Sequence, residues 1–84
     1  MALYFFHLRD GIDILLDPEG RELTGPDGIA EAALKEARSI ISHDAMIGRI
    51  ILNQHIDIED EFRNVVHTLR FADAVEIVLP LATD

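Results

Sequence analysis

The sequence has 84 residues, 49% of them hydrophobic, with no cysteine and a formal charge of −9 from sixteen acidic and seven basic side chains. That length holds one packed domain and no second core, and the apolar fraction is too high for a disordered acidic tail. Lacking cysteine, the chain has no disulfide staple, zinc–thiolate site or cysteine nucleophile, and its negative charge repels a phosphate backbone, which argues against direct nucleic-acid binding.

No run approaches the ~18 uninterrupted apolar residues of a membrane helix, and the first residues lack the basic, apolar and small-residue zones of a signal peptide. The expectation is a single domain over residues 1–84, cytoplasmic and without membrane contact.

Residues Ala2 to Arg9 are rich in strand formers, with Tyr4, Phe6 and Leu8 on one face and Phe5, His7 and Arg9 on the other. Asp10-Gly11 then offers residue types that accept a positive φ, and Ile12, Ile14 and Leu16 alternate with Asp13, Leu15 and Asp17, so a β-hairpin is predicted. Asp17-Pro18-Glu19-Gly20 has the composition of a turn. Arg21 to Thr24 reads as a connector.

Pro26 suits a first helical position and Asp27 complements the positive end of the helix dipole, so a helix is predicted from Gly25–Asp27 to the stop at Gly48. At 100° per residue, Ala30, Leu34, Ala37, Ile41 and Ala45 share a face flanked by Ala33 and Ile40, opposite Glu31, Lys35, Ser39 and Ser42. Small residues on that stripe let the helix axis approach a sheet closely, with Leu34 expected in the core.

After the apolar connector Arg49–Leu52, residues His55 to Asp60 alternate with Ile56 and Ile58 inward and His55, Asp57 and Glu59 outward. Glu61 to Asn64 supplies turn residues, and Val65, His67, Leu69 and Phe71 alternate with Val66, Thr68 and Arg70 in a last strand. The order β-β-α-β-β predicts an α+β fold, a small antiparallel sheet of two hairpins with one amphipathic helix on one face.

The opening Tyr4-Phe5-Phe6-His7-Leu8-Arg9-Asp10-Gly11, the Asp17–Gly20 turn, the alanine-rich helix, Ile56–Glu61 and the run Leu69–Val75 together resemble a family of short uncharacterised bacterial proteins. The chain departs from that pattern at Phe62 and Asn64, where small polar residues and a glycine are expected, and at Arg70, where proline is common. The resemblance implies a shared small fold and no assigned activity, so it carries no catalytic residues over. In layout alone the chain is also similar to antitoxin domains of the HicB type, in which a small sheet precedes an alanine-rich helix and the domain blocks a basic toxin.

Chemistry is sparse. His7, His55, Asp57 and Asp13 would share an outward face if the first and third predicted strands are neighbours, but no HExxH or comparable ligand spacing is present. His67 falls in register with Val65, Leu69 and Phe71 at the core edge, and His43 lies near the helix C-terminus where a cation is favourable. The acidic run Asp57, Glu59, Asp60, Glu61 has no pocket beside it in the pattern, and Ser39 and Ser42 have no nearby base.

The segment Val75-Glu76-Ile77-Val78-Leu79-Pro80-Leu81 is apolar and nearly uncharged, and left bare it invites aggregation. Either it folds over its own sheet or it meets another chain. The expected function is a non-enzymatic protein-binding or regulatory module, self-associating as a homodimer, without cofactor or small-molecule substrate, whose contact surface includes Phe5, His7, Arg9 and Arg70. The alternatives are a small metal-binding protein or hydrolase using His7, His55 and Asp57, and an antitoxin-like neutraliser of a basic protein.

Overall fold

The computed structural model describes residues 2–81. Its centre is β1, Ala2–Asp10, whose alternating aromatic and aliphatic residues supply one face for a core and one for solvent. β1 pairs antiparallel with β2 (Asp13–Leu15) and with β3 (Arg21–Leu23). It also pairs with β4 (His55–Glu59), and β4 in turn pairs with β5 (Val65–Arg70), so the sheet runs β2-β1-β4-β5 with β3 added on β1. Both predicted hairpins are present, β1–β2 and β4–β5, and the fold is α+β with an antiparallel sheet of five strands.

Arg21–Leu23 is therefore a strand, not the connector its polar composition suggested. β2 and β3 are two pieces of one interrupted strand. Leu8 faces Leu15 and Tyr4 faces Arg21, so the segment Leu16–Gly20 bulges out opposite the middle of β1. Gly20 returns the chain to the sheet at φ 74°, and a Cβ there would stand 2.9 Å from the Tyr4 carbonyl oxygen. Only glycine meets both conditions.

Helix α1, Gly25–Met46, begins with Thr24 at its N-cap position, Pro26 in its first turn and Asp27 beside the positive end of the dipole. His43 in the last turn donates from Nδ1 to the Ser39 carbonyl at 2.8 Å, which suits a C-terminal position. α1 packs over β4, β5 and a 3₁₀ turn at Phe71–Asp73. The core consists of Phe6, Ile29, Ala33, Ala37, Ile41, Ile56, Ile58, Phe71 and Ala74.

The buried helix face is rotated from the one the periodicity favours: Ile29, Ala33, Ala37 and Ile41 are buried, Leu34 is half-buried and Ala45 is exposed. Ala33 and Ala37 have no exposed surface at all, because alanine lets the helix backbone settle directly onto Ile56 and Ile58. Ala37→Leu is accordingly expected to destabilise by about 1–3 kcal/mol through overpacking. The same change at exposed Ala45 should leave the urea midpoint within error of the parent, and equal effects at the two sites would contradict this packing.

The second hairpin turns through Asp60–Asn64. Arg63 takes φ 66°, the left-handed region in which glycine is unstrained. Asp60 compensates by accepting the Phe62 and Asn64 backbone N–H groups at 2.8 and 2.9 Å. Those bonds outweigh a small desolvation effect and hold its carboxyl below the usual value, the Asn64 bond being the largest influence.

Candidate interaction surfaces

The sheet face away from α1 carries the odd-numbered residues of β1 and the residues opposite them. Phe5 faces Glu59, His7 faces Asp57 and Arg9 faces His55, while Asp57 faces Thr68 and His55 faces Arg70. The neighbouring strands bring His7, His55 and Asp57 to one face, as the outward pattern required. Asp13 is not with them, because it pairs with Asp10, in register with Leu8 on the other side.

These groups are engaged with one another. Asp57 accepts from Thr68 Oγ1 at 2.8 Å on one oxygen and from Arg9 Nε on the other, and His55 Nε2 lies 3.6 Å away. Burial alone would push the Asp57 carboxyl up, yet the bonds from Thr68 and Arg9 and the nearby charges hold it below its ordinary value. His7, 7% exposed, accepts the Asp17 backbone N–H on Nδ1 at 3.1 Å. The neutral ring must then carry its proton on Nε2, which points at Glu59 Oε1 at 3.4 Å. Phe5 stacks on the same ring, with centroids 6.4 Å apart.

Asp17 is the pivot of this edge. Its carboxylate accepts Phe6 N–H on one oxygen and Glu19 and Gly20 N–H on the other, at 3.1 to 3.2 Å, replacing the ladder bonds that the bulge removes. Burial pushes this carboxyl up, but those three bonds and the Arg21 charge overcome it and leave it below the usual value. The turn was legible as a turn; the carboxylate's service to β1 was not, because it depends on the register of β1 against two separate strands.

Arg9, His55 and Arg70 stand in one row across three strands. Arg70 is exposed and paired with Asp73 at 3.3 Å. Of the residues expected to meet a partner, Phe5, Arg9 and Arg70 therefore share the open face, while His7 is largely covered. His67 lies on the other side, beside Tyr4, Pro26, Ile29 and Val66. Among the described residues no three His, Asp or Glu side chains converge as metal ligands would, and no helix is long and apolar enough to cross a membrane.

The opposite face holds a gutter lined by both apolar and charged side chains. Because α1 lies over β4 and β5, the inner side of the β1–β2 ladder next to it stays open as a cavity of about 330 Å³. Phe6, Leu8, Leu15, Leu16 and Ile40 line it, and Leu15 and Leu16 are 69% and 62% exposed. One end is closed by Arg21, which lies 4.1 Å over the Phe6 ring and pairs with Glu36 of α1 at 2.7 Å.

Beyond the 3₁₀ turn, Ala74 is buried and its carbonyl accepts Arg38 Nε at 2.7 Å. From this anchor the chain departs as an arm in which Ile77, Val78, Leu79 and Leu81 are 52%, 80%, 76% and 86% exposed. Of the two readings open for residues 75–81, folding over its own sheet or meeting another chain, the first holds within the single chain only for Val75, which packs against the core.

No match to the chain was found among curated proteins or among solved structures. A family model described as a domain of unknown function, DUF6894, matches residues 3–72, from within the first strand into the 3₁₀ turn. With most of its length matched, including the helix and all but the first residue of the sheet, the chain belongs to the DUF6894 family.

Proposed function

We propose that this domain is a non-enzymatic protein-binding module that associates with a second copy of itself. The observation that carries the reading is the apolar surface the single chain leaves bare, namely the arm Ile77–Leu81 together with Leu15 and Leu16. Large apolar side chains left exposed in such numbers mark interaction sites in proteins that are otherwise well packed. The open sheet face adds no competing chemistry, since Asp57 and His7 are each held by two or more partners within the chain.

Charge separates self-association from capture of a basic protein. Two copies each carrying −9 repel, so a homodimer tightens as salt screens that repulsion, whereas a complex with a basic partner loosens. Sedimentation of the untagged full chain at low and at high salt is expected to show a dimer favoured by salt. A monomer at every salt and protein concentration would contradict the reading.

A further inference from the structure

The arm and the exposed Leu15 and Leu16 of the gutter are uncovered apolar surfaces on one chain, and no residue of the arm lines the gutter. Its axes measure 55 × 26 × 19 Å and its Cα radius of gyration is 14.6 Å, against about 12 Å for a compact domain of this length. The side chains of the arm are largely exposed, and its base is fixed: buried Ala74 and its bond from Arg38 set the point of departure. In an extended segment, Ile77, Leu79 and Leu81 fall on one side, a row of three large aliphatic side chains with no charge among them. Pro80 has no N–H and would interrupt a central ladder, which favours docking through side chains over insertion between strands.

The gutter offers what such a row needs. Phe6, Leu8, Leu15, Leu16 and Ile40 supply its apolar lining, while among its charged residues Asp17 accepts backbone N–H groups, Arg21 pairs with Glu36 and Glu19 is exposed. An uncharged occupant fits this lining better than a charged one, because each copy is strongly acidic and no basic side chain in the gutter is free of an acidic partner. Resting on the self-association reading above, we propose that the arm Ile77–Leu81 of one copy lies in the gutter of a second copy between β2 and α1, and that the exchange is reciprocal. A two-fold arrangement buries two arms and two gutters at once, which is how a five-residue segment can approach the roughly 800 Å² per partner of a stable interface. The arm lies outside the residues matched by the family model, so the proposal concerns this chain.

The natural absence of cysteine makes a thiol trap clean. L16C and L79C alter exposed positions and leave the core untouched. When full-length chains carrying L16C are mixed with isotopically labelled chains carrying L79C and oxidised gently, disulfide dimers of unlike chains are expected to exceed like-chain dimers at least tenfold. In parallel, Leu79→Asp is expected to weaken dimerisation of the full chain at least tenfold in sedimentation, with the fold intact by circular dichroism. Random pairing of the thiols, or closure within one chain when both cysteines are on the same copy, overturns the exchange. A parent dimer that Leu79→Asp leaves unchanged also overturns it while self-association stands, and a monomeric parent removes both.

Discussion

Phe71→Ala is expected to remove about 3–5 kcal/mol of stability, the largest effect of any single truncation in this chain. Phe71 is fully buried and, with Ile56 and Ile58, is among the largest side chains with essentially no exposed surface. It sits where α1, the end of β5 and the 3₁₀ turn meet, and its backbone N–H donates to the Gln54 carbonyl at 2.9 Å while its own carbonyl accepts Ala74 N–H. The ring cannot be replaced by local collapse, because both backbone bonds hold the turn in place. Small domains have total stabilities on the order of 5–15 kcal/mol, so the loss removes a large share of the whole. Urea titration is the check: a midpoint that falls with an unchanged slope is expected, Phe71→Leu should lie between parent and alanine, and a loss under about 1 kcal/mol would contradict the packing described here.

Asp17→Ala should cost about 2–3 kcal/mol, most of it from the backbone N–H of Phe6, which loses its acceptor in the middle of β1. Asp17→Asn discriminates charge from shape. One amide oxygen can still serve Glu19 and Gly20, but an NH₂ then faces the Phe6 N–H, so an intermediate loss is expected. The acid dependence follows from the depressed folded-state carboxyl of Asp17. Its contribution is fully present above the unfolded aspartate value of about 3.9 and is lost as pH falls through the lower folded value. The gap in urea midpoint between parent and Asp17→Asn should therefore be constant near neutrality and close below about pH 4. A gap that persists at low pH would show that the ionised carboxylate is not what holds the bulge.

Local chemistry made much of this fold legible. Asp10-Gly11 announces the first hairpin, Pro26 the start of α1, and the alternation about Ile56 and Ile58 a strand with one buried face, each depending on residues within a few positions. What stayed hidden depends on distant partners. Arg21-Glu22-Leu23 is a strand because Ala2 to Tyr4 lies beside it, and nothing in three mostly polar residues signals that. Ala37 and Ile41 fall on the stripe the periodicity favours, but its centre is shifted, because periodicity weights the large Leu34 whereas close approach to the sheet selects Ile29 and the small Ala33. In the same way, Arg9 and Asp57 are recognisable as an ion pair only after β1 and β4 are known to be neighbours. His7 looked like a contact residue since its strand position points outward; the turn whose Asp17 N–H engages it was legible, but not its placement beside β1.

The placement of β1 between strands from opposite ends of the chain bears on how the molecule is assembled. Both β2 and β3 follow β1 before the helix begins, but its pairing with β4 joins positions about fifty residues apart, across the whole of α1. Two-stranded ribbons are marginal in water on their own, so neither hairpin gains lasting protection until that long closure occurs. Folding speed is then governed by the β1–β4 encounter and not by the quick formation of α1. On the ribosome, a nascent chain that has not yet released Phe71 holds β1 with one edge unpaired and its aromatic residues uncovered, and that interval is when the acidic character of the surrounding sequence has most to do in keeping copies apart.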